Sequence, residues 1–335
     1  MIVSTKIVNS NISIVIPALN AEDYLPSLLE SIEAQTLLPQ EIVVIDSSPS
    51  SRTANIIEKH KGSIPIVFKR VDFAYPGHAR NLGVKLAKSE WVAFIDCRTI
   101  PGCDWLKTSA EAAKQSGAEY IEALCLSSAD TSFKKILQAA TYGCEPARTL
   151  PGSMILKRVF EQSGGFIPNV RAGEDLEWIQ RCQTLGVKIN RLKSPTLTYN
   201  GFPESLSQAM IKWFNYAIAN ADIEIKKNQK SLYLLISILF VFFSIYNWNH
   251  LTYKWNHSNI YYIPNITKIF VVSLFSLYIV YRGIFRSLKV KVKLSFLFPL
   301  RWLEVGFVGL CLDLAKAPGL VWGAIRQLQK RIRGK

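Results

Sequence analysis

The chain is 335 residues long, 49% hydrophobic, and carries a formal net charge of +15. The charge is lopsided, with 14 Lys+Arg against 2 Asp+Glu in residues 231–335 but 26 against 23 in residues 1–230. The charge therefore does not suggest a nucleic-acid-binding catalytic domain, and the basic excess falls in a Tyr- and Trp-rich third that reads as a membrane interface.

Ile12-Ser-Ile-Val-Ile-Pro17 is a short apolar run stopped by proline, the pattern of a buried strand. Asn20 is placed to cap the next helix, whose core face is Leu25, Leu28, Leu29 and Ile32, with Pro26 tolerated in its first turns. A second strand, Glu41-Ile-Val-Val-Ile-Asp46, ends in a carboxylate and a serine-rich turn over 47–51. A helix to about His60 and a strand near 64–68 follow. Pro76-Gly77-His-Ala-Arg80-Asn81-Leu-Gly83 opens a helix through Lys88, and 91–95 is a strand running out into Asp96. This alternation predicts a parallel, Rossmann-like sheet covered on both faces. Ligands bind in the crevice outside the strand ends of such sheets, where Asp46 and Asp96 stand.

After Pro101 the pattern loosens into a helix over 104–115, a strand over 119–125, a helix over 131–145 and a return to the sheet at 151–156. Ser163-Gly-Gly165-Phe166 is a turn. Arg171-Ala-Gly-Glu174-Asp175 opens a helix with two acids at its N-terminus, where the helix dipole favours negative charge.

No Lys, Arg, Asp or Glu occurs from Ser231 to Tyr253. Membrane spans are expected at about 232–248 and 264–281, since a bilayer takes about 20 apolar residues. Lysines precede the first span, while Arg282, Arg286, Lys289, Lys291 and Lys293 follow the second, which places both flanks in the cytoplasm. Residues 294–325 are interrupted by Arg301, Glu304, Asp313 and Lys316, and are too few for two ordinary spans. An interfacial or re-entrant helical pair is expected there, followed by a basic cytoplasmic tail. The expected organisation is a cytoplasmic domain over 1–230 and a membrane region over 231–335, in a multi-pass cell-membrane protein. The six cysteines show no CxxC spacing, and without a leader-type segment they are expected to be reduced thiols.

Several motifs in order carry a resemblance: Pro17-Ala18-Leu-Asn20, Val44-Ile-Asp46, Ala79-Arg80-Asn81-Leu-Gly83, Phe94-Ile-Asp96, Gly164-Gly165-Phe166, and Gly173-Glu174-Asp175 with Arg181. Over roughly residues 11–216 the chain resembles the inverting glycosyltransferases of family 2, whose fold is of the GT-A type. The resemblance implies an α/β, Rossmann-like GT-A domain that transfers a sugar from a nucleotide-sugar donor, UDP- or GDP-linked. With the membrane region, it implies a lipid-linked or membrane-surface glycan as acceptor and no nucleic-acid partner. Asp46 is then expected at the base, with Pro17, Ala18 and Asn20 lining its pocket. Gly77, Arg80, Asn81, Asp96, Arg98 and Arg181 are the other expected substrate-binding residues. Asp175 is expected as the general base that deprotonates the acceptor hydroxyl, with Glu174 beside it. Taken alone, Asp46 is equally a turn aspartate and Arg80 and Asn81 equally a solvated helix start.

The family's Asp-x-Asp, which touches ribose and a divalent cation, is here Asp96-Cys97-Arg98. Three readings stand. Asp96 with substrate phosphates and water holds Mg²⁺ or Mn²⁺; Arg98 itself neutralises the diphosphate; or catalysis is lost. The last makes the chain a weak or inactive homologue acting as a membrane-bound sugar-nucleotide-binding scaffold. The Gln-x-x-Arg-Trp motif of processive synthases is absent, approximated only by Gln208-Ala-Met-Ile-Lys212-Trp213.

Overall fold

The computed structural model describes residues 10–221 and 265–332. The expected span at 232–248 and the domain boundary at 230 lie outside the described residues. The chain divides into two compact units, Met1–Ser128 with Pro146–Gly201, and Ala129–Glu145 with Phe202–Lys335.

The first unit holds nine strands: β1 (Ile12–Ala18), β2 (Glu41–Asp46), β3 (Ile66–Arg70), β4 (Trp91–Phe94), β5 (Thr99–Pro101), β6 (Tyr120–Ser127), β7 (Ala147–Leu156), β8 (Ile189–Arg191) and β9 (Leu197–Tyr199). Its helices are α1 (Leu25–Glu33), α2 (Arg52–Lys59), α3 (Pro76–Leu86), α4 (Trp105–Ser116), α6 (Lys157–Gln162) and α7 (Glu174–Thr184). The second unit contributes α5 (Ser132–Ala140), between β6 and β7 in the chain.

The sheet runs β3-β2-β1-β4-β7-β6-β9-β5, with β8 beside β6. From β3 to β4 it is parallel, as the alternating pattern predicts. Beyond β4, where the alternating pattern loosens, the sheet becomes mixed, and β7 pairs antiparallel with both β4 and β6. The reason is the connection. Strands β6 and β7 follow one another in the chain as antiparallel neighbours, and such a pair needs no βαβ crossover.

Period-2 alternation divides the core. Ile14 and Ile16 face one side with Leu25, Leu28, Leu29, Ile32 and Trp105, while Val15 faces the other with Phe94, Phe160, Phe166 and Trp178. Each fully buried aliphatic or aromatic side chain here contributes about 1.5–3 kcal/mol. On the Val15 side α3 packs unusually close, since a Cβ on Gly83 would lie 2.3 Å from Val15 Cγ1. That contact fixes the start of α3 over the C-terminal ends of β1 and β4. Asn20 does not cap α1. Tyr24 precedes that helix, and Asn20 stands at φ +49° with its N–H donated to Ser48 Oγ at 2.8 Å.

The second unit is helical: α5, α8 (Leu206–Ala221), α9 (Asn265–Val280), a π-helical turn (Tyr281–Phe285), α10 (Arg286–Lys289), α11 (Leu294–Leu297) and α12 (Arg301–Ile332). Residues 294–325, expected as an interfacial or re-entrant helical pair, hold one short helix and most of one long one. Asp313, expected to interrupt the segment, is buried inside α12. There it meets Arg282 at 2.9 Å, Lys316 at 2.8 Å and the Tyr278 hydroxyl at 2.7 Å. Small residues allow the helices this approach, since a Cβ on Gly306 would lie 2.4 Å from the Ile279 carbonyl oxygen. Among the described residues, Arg301–Gly323 is the one helix long and apolar enough to cross a membrane, and about half of it is buried (56%). Of the second expected span, 264–281, the described part is helical throughout, as α9 and the start of the π-helical turn that continues it.

Candidate active site

The site is built where β1, β2 and β4 end and α3 and α7 begin. Arg80, one turn into α3, is its centre. Its side chain is 5% exposed, and it donates from Nη2 to Asp96 Oδ1 at 2.6 Å and from Nη1 to Glu174 Oε1 at 2.9 Å. It also stands over the Phe166 ring at 5.8 Å. Burial works against its charge, but Asp96 and Glu174 outweigh that and hold the guanidinium protonated above its ordinary range. Glu174 is the opposite case. Burial raises its carboxyl above the usual range, with Arg80 pulling down and Asp175 pushing up. One guanidinium therefore ties the end of β4 to the N-terminus of α7, where Glu174 stands 94 residues from Arg80 in sequence.

Gly77 makes this join possible. A Cβ there would lie 2.8 Å from Glu174 Cγ and 3.1 Å from both the Ile167 carbonyl oxygen and Phe166 Cβ. Gly77→Ala is expected to displace Glu174, lowering stability by about 1–3 kcal/mol through overpacking. Chemical denaturation monitored by tryptophan fluorescence measures it, and an unchanged midpoint would show that the α7 end moves freely.

Asp175, next along, is partly exposed, and its Oδ1 accepts only the local Leu176 N–H at 2.8 Å. Its neighbour Glu174 is thus locked by Arg80, while Asp175 is held by a local bond alone among the described residues. Asp46 is fully buried, with Oδ1 accepting from the Ser48 backbone N–H at 3.0 Å and from Ser48 Oγ at 2.5 Å. Its Oδ2 is buried without a partner among the described residues. A buried carboxylate oxygen left unpaired is costly, so it marks a place for a donor from outside. Cys97 lies between the two strand-end acids, bonded to the Pro17 carbonyl at 3.5 Å; burial, with Asp96 and Asp46 adding, pushes its thiol up to about 12. It stays a neutral thiol.

Pro17 and Ala18 use their carbonyls internally, Ala18 accepting from the Ser47 N–H at 2.9 Å. Asn81 and Arg181 are not bonded to Asp46, Asp96, Glu174 or Asp175. Asn81 clamps the Phe166 backbone from both sides, donating to its carbonyl at 2.7 Å and accepting its N–H at 2.9 Å. Arg181 holds the same turn by donating to the carbonyls of Ser163 and Gly165 and to Glu177. That turn needs holding because Gly164 and Gly165 both have positive φ, +82° and +67°. Both residues therefore position the Gly-Gly-Phe segment that underlies Arg80. Sequence reading passed over Ser48 and Tyr24. The serine-rich turn after Asp46 was the available signal for the first, whereas nothing in the chain order pointed to the second.

Arg98 is exposed and stacked on Tyr24, its guanidinium 5.1 Å from the ring centroid. Stacking leaves the N–H edge free. A divalent cation wants several oxygen ligands. Here one oxygen of Asp96 is taken by Arg80, Arg98 follows two residues on, and no group of three His, Cys, Asp or Glu is gathered among the described residues. The side chains present do not fit a divalent-cation site of their own.

Residues 13–152 match the profile described as "Glycosyl transferase family 2". They are a family 2 glycosyltransferase domain. Arg80, Asn81 and Asp96 lie inside the matched stretch of this domain, and Glu174 and Asp175 follow it. A poly(ribitol-phosphate) beta-glucosyltransferase of Bacillus spizizenii is 32% identical over 100 residues, 28% of this chain and 16% of that protein. The WfaP protein of Escherichia coli, a UDP-Glc:alpha-D-GlcNAc-diphosphoundecaprenol beta-1,3-glucosyltransferase, is 36% identical over 85 residues, 25% of this chain and 34% of its own. The chain thus matches only a minor part of these relatives. The crystal structure of Staphylococcus aureus TarS 1–349 with UDP-GlcNAc aligns at 18% identity and a TM-score of 0.47, covering 95% of this chain and 92% of that one.

Proposed function

We propose that the chain is an inverting glycosyltransferase that moves a sugar from a nucleotide-sugar donor to a lipid-linked or membrane-surface glycan. The observation that carries this reading is the Arg80 bridge, which couples the strand-end carboxylate Asp96 to the helix bearing Asp175. In the proposal the unpaired Oδ2 of Asp46 accepts a base N–H, and Pro17, Ala18 and Asn20 edge that pocket. The outer oxygen of Asp96 meets the ribose. Asp175 accepts the proton of the acceptor hydroxyl as that oxygen attacks the anomeric carbon and the nucleoside diphosphate leaves. Glu174 is a positioning residue, held by Arg80 so that α7 begins in one place.

The role of Arg98 follows from the poor fit for a cation. Its N–H edge, held by Tyr24, neutralises the diphosphate of the leaving group, as a guanidinium does bidentately. Arg98→Ala is expected to weaken nucleoside diphosphate binding roughly 10- to 100-fold, the equivalent of losing a charged hydrogen bond of about 1.5–3 kcal/mol. Titration of UDP and GDP with and without EDTA measures this. Tight binding by Arg98→Ala in EDTA would remove Arg98 from the role.

The relatives' names, with their poly(ribitol-phosphate) and diphosphoundecaprenol acceptors, support an acceptor that carries phosphate. Membrane attachment is supported by the second unit. Phe285, Leu288, Leu294, Phe298, Leu303 and Phe307 are exposed, with Lys289, Lys291, Lys293 and Arg301 exposed among them. Apolar side chains interleaved with cations suit an anionic bilayer surface. The proposal is attachment at that surface, with the catalytic unit on the cytoplasmic side. Incubation of the purified full chain with a panel of UDP- and GDP-sugars tests the whole reading, since release of nucleoside diphosphate from none of them would leave only a binding or scaffold protein.

A further inference from the structure

Across three neighbouring strands the first unit presents an Arg-Glu-Arg cluster that the proposed donor site does not use. Glu122 of β6 is buried, and its Oε2 accepts from Arg148 Nη1 of β7 at 2.8 Å and from Arg191 Nε of β8 at 3.1 Å. The two arginine side chains are 52% and 51% exposed, the glutamate 7%. This differs from Arg158–Glu119 and Arg52–Glu22, which pair one to one. Two guanidiniums against one carboxylate leave one net positive charge. Like charges held this close repel, and Glu122 offsets only part of that from below. Each guanidinium spends one N–H on Glu122, and the outer edges of both face solvent.

The place of the cluster matters as much as its charge. Glu122 lies two residues beyond Tyr120 on the same face of β6. Tyr120 packs edge-on against Trp178 of α7, with centroids 5.5 Å apart. Asp175 stands in the first turn of that helix, one turn before Trp178. Burial raises the Tyr120 phenol, and Glu122 and Asp175 both lie near enough to add to the effect. The cluster and the proposed base therefore flank one buried tyrosine.

We infer that Arg148 and Arg191, anchored by Glu122, form a binding site for a phosphate ester of the acceptor, next to the hydroxyl that Asp175 deprotonates. This rests on the glycosyltransferase reading and deepens it. The chemistry is shared by two sources: a polyprenyl diphosphate headgroup and a polyol phosphate of a glycan. Planar guanidinium forks suit either, because each presents paired donors to paired phosphate oxygens.

The test uses the full chain saturated with UDP or GDP, so that the donor site is filled. A short polyprenyl diphosphate in detergent micelles is titrated in one arm and glycerol 3-phosphate in the other. The wild type is expected to bind at least one probe, and the probe that binds identifies the source. Arg148→Gln with Arg191→Gln is expected to weaken that binding by roughly 10-fold or more, while nucleotide affinity stays within about 2-fold. In transfer assays the same change should raise acceptor KM and leave kcat near the wild-type value. Arg148→Lys with Arg191→Lys keeps the charge but loses the forks, and should recover only part of the affinity. Equal probe binding by wild type and the glutamine variant, or binding of neither probe, overturns the inference. Nucleotide binding in the same titrations reports separately on the donor site.

Discussion

Asp175→Asn is expected to lower kcat by about 10²–10⁴, the range supplied by a positioned general base, while nucleotide affinity is retained. The substitution is nearly isosteric, and the Asp175 side chain makes one local backbone bond that an asparagine oxygen can also accept. Neither the Arg80 bridge nor the Gly-Gly-Phe turn depends on it. The loss should therefore appear in kcat with little change in the thermal midpoint. Glu174→Gln gives the contrast, because that side chain is buried against Arg80. Its effect should include stability as well as rate. Pre-steady-state transfer alongside a thermal melt measures both variants, and full turnover by Asp175→Asn would assign the proton to another group.

Arg80→Met carries the second large effect. It removes the guanidinium but leaves Glu174 buried, and stranding one partner of a buried ion pair costs about 3–5 kcal/mol. The Asp96 arm contributes less, since that carboxylate is 37% exposed and water can replace the bond. A fall in thermal midpoint on the order of 10 °C follows for a unit of this size. Arg80→Met combined with Glu174→Met should recover part of it, because no buried charge is then left alone. A double variant no more stable than the single one would mean that Arg80 acts mainly through Asp96 or through its packing on Phe166.

These two residues also show how far the chain could be read without coordinates. Strands β1, β2 and β4 were legible because each is a short apolar run ending at a proline or a carboxylate. The α7 start was legible from two acids at a helix N-terminus. Arg80 could be singled out, but its partners could not, since 16 and 94 residues separate it from Asp96 and Glu174. Asn81 and Arg181 were expected at the donor because the family resemblance includes them, and a sequence does not record what a polar side chain bonds to. Only the coordinates show their hydrogen bonds spent on the backbone of the turn over 163–166. The antiparallel β7 was missed because local patterning records strand character and not direction. The charged residues within 294–325 were hard to read for a related reason. A buried Asp313 reads as an interruption until Arg282, Lys316 and Tyr278 are brought to it.

Arg98 and the Arg148–Arg191 pair divide the work with phosphate in this account. One meets the leaving diphosphate at the β4 end, and the other meets the incoming acceptor beside α7. On the proposed reading Asp175 would stand between a donor and an acceptor held by separate cations, so substitutions at the two places should separate donor affinity from acceptor KM.

The central claim is single displacement at the anomeric carbon of a nucleotide sugar, with Asp175 taking the proton. Hydrolysis of an α-linked nucleotide sugar by the full chain, followed by proton NMR before the released sugar mutarotates, tests it most directly. The account predicts a β-anomer as the first product, formed by wild type and suppressed in Asp175→Asn. An α-anomer released first, or equal release by the variant, would contradict it.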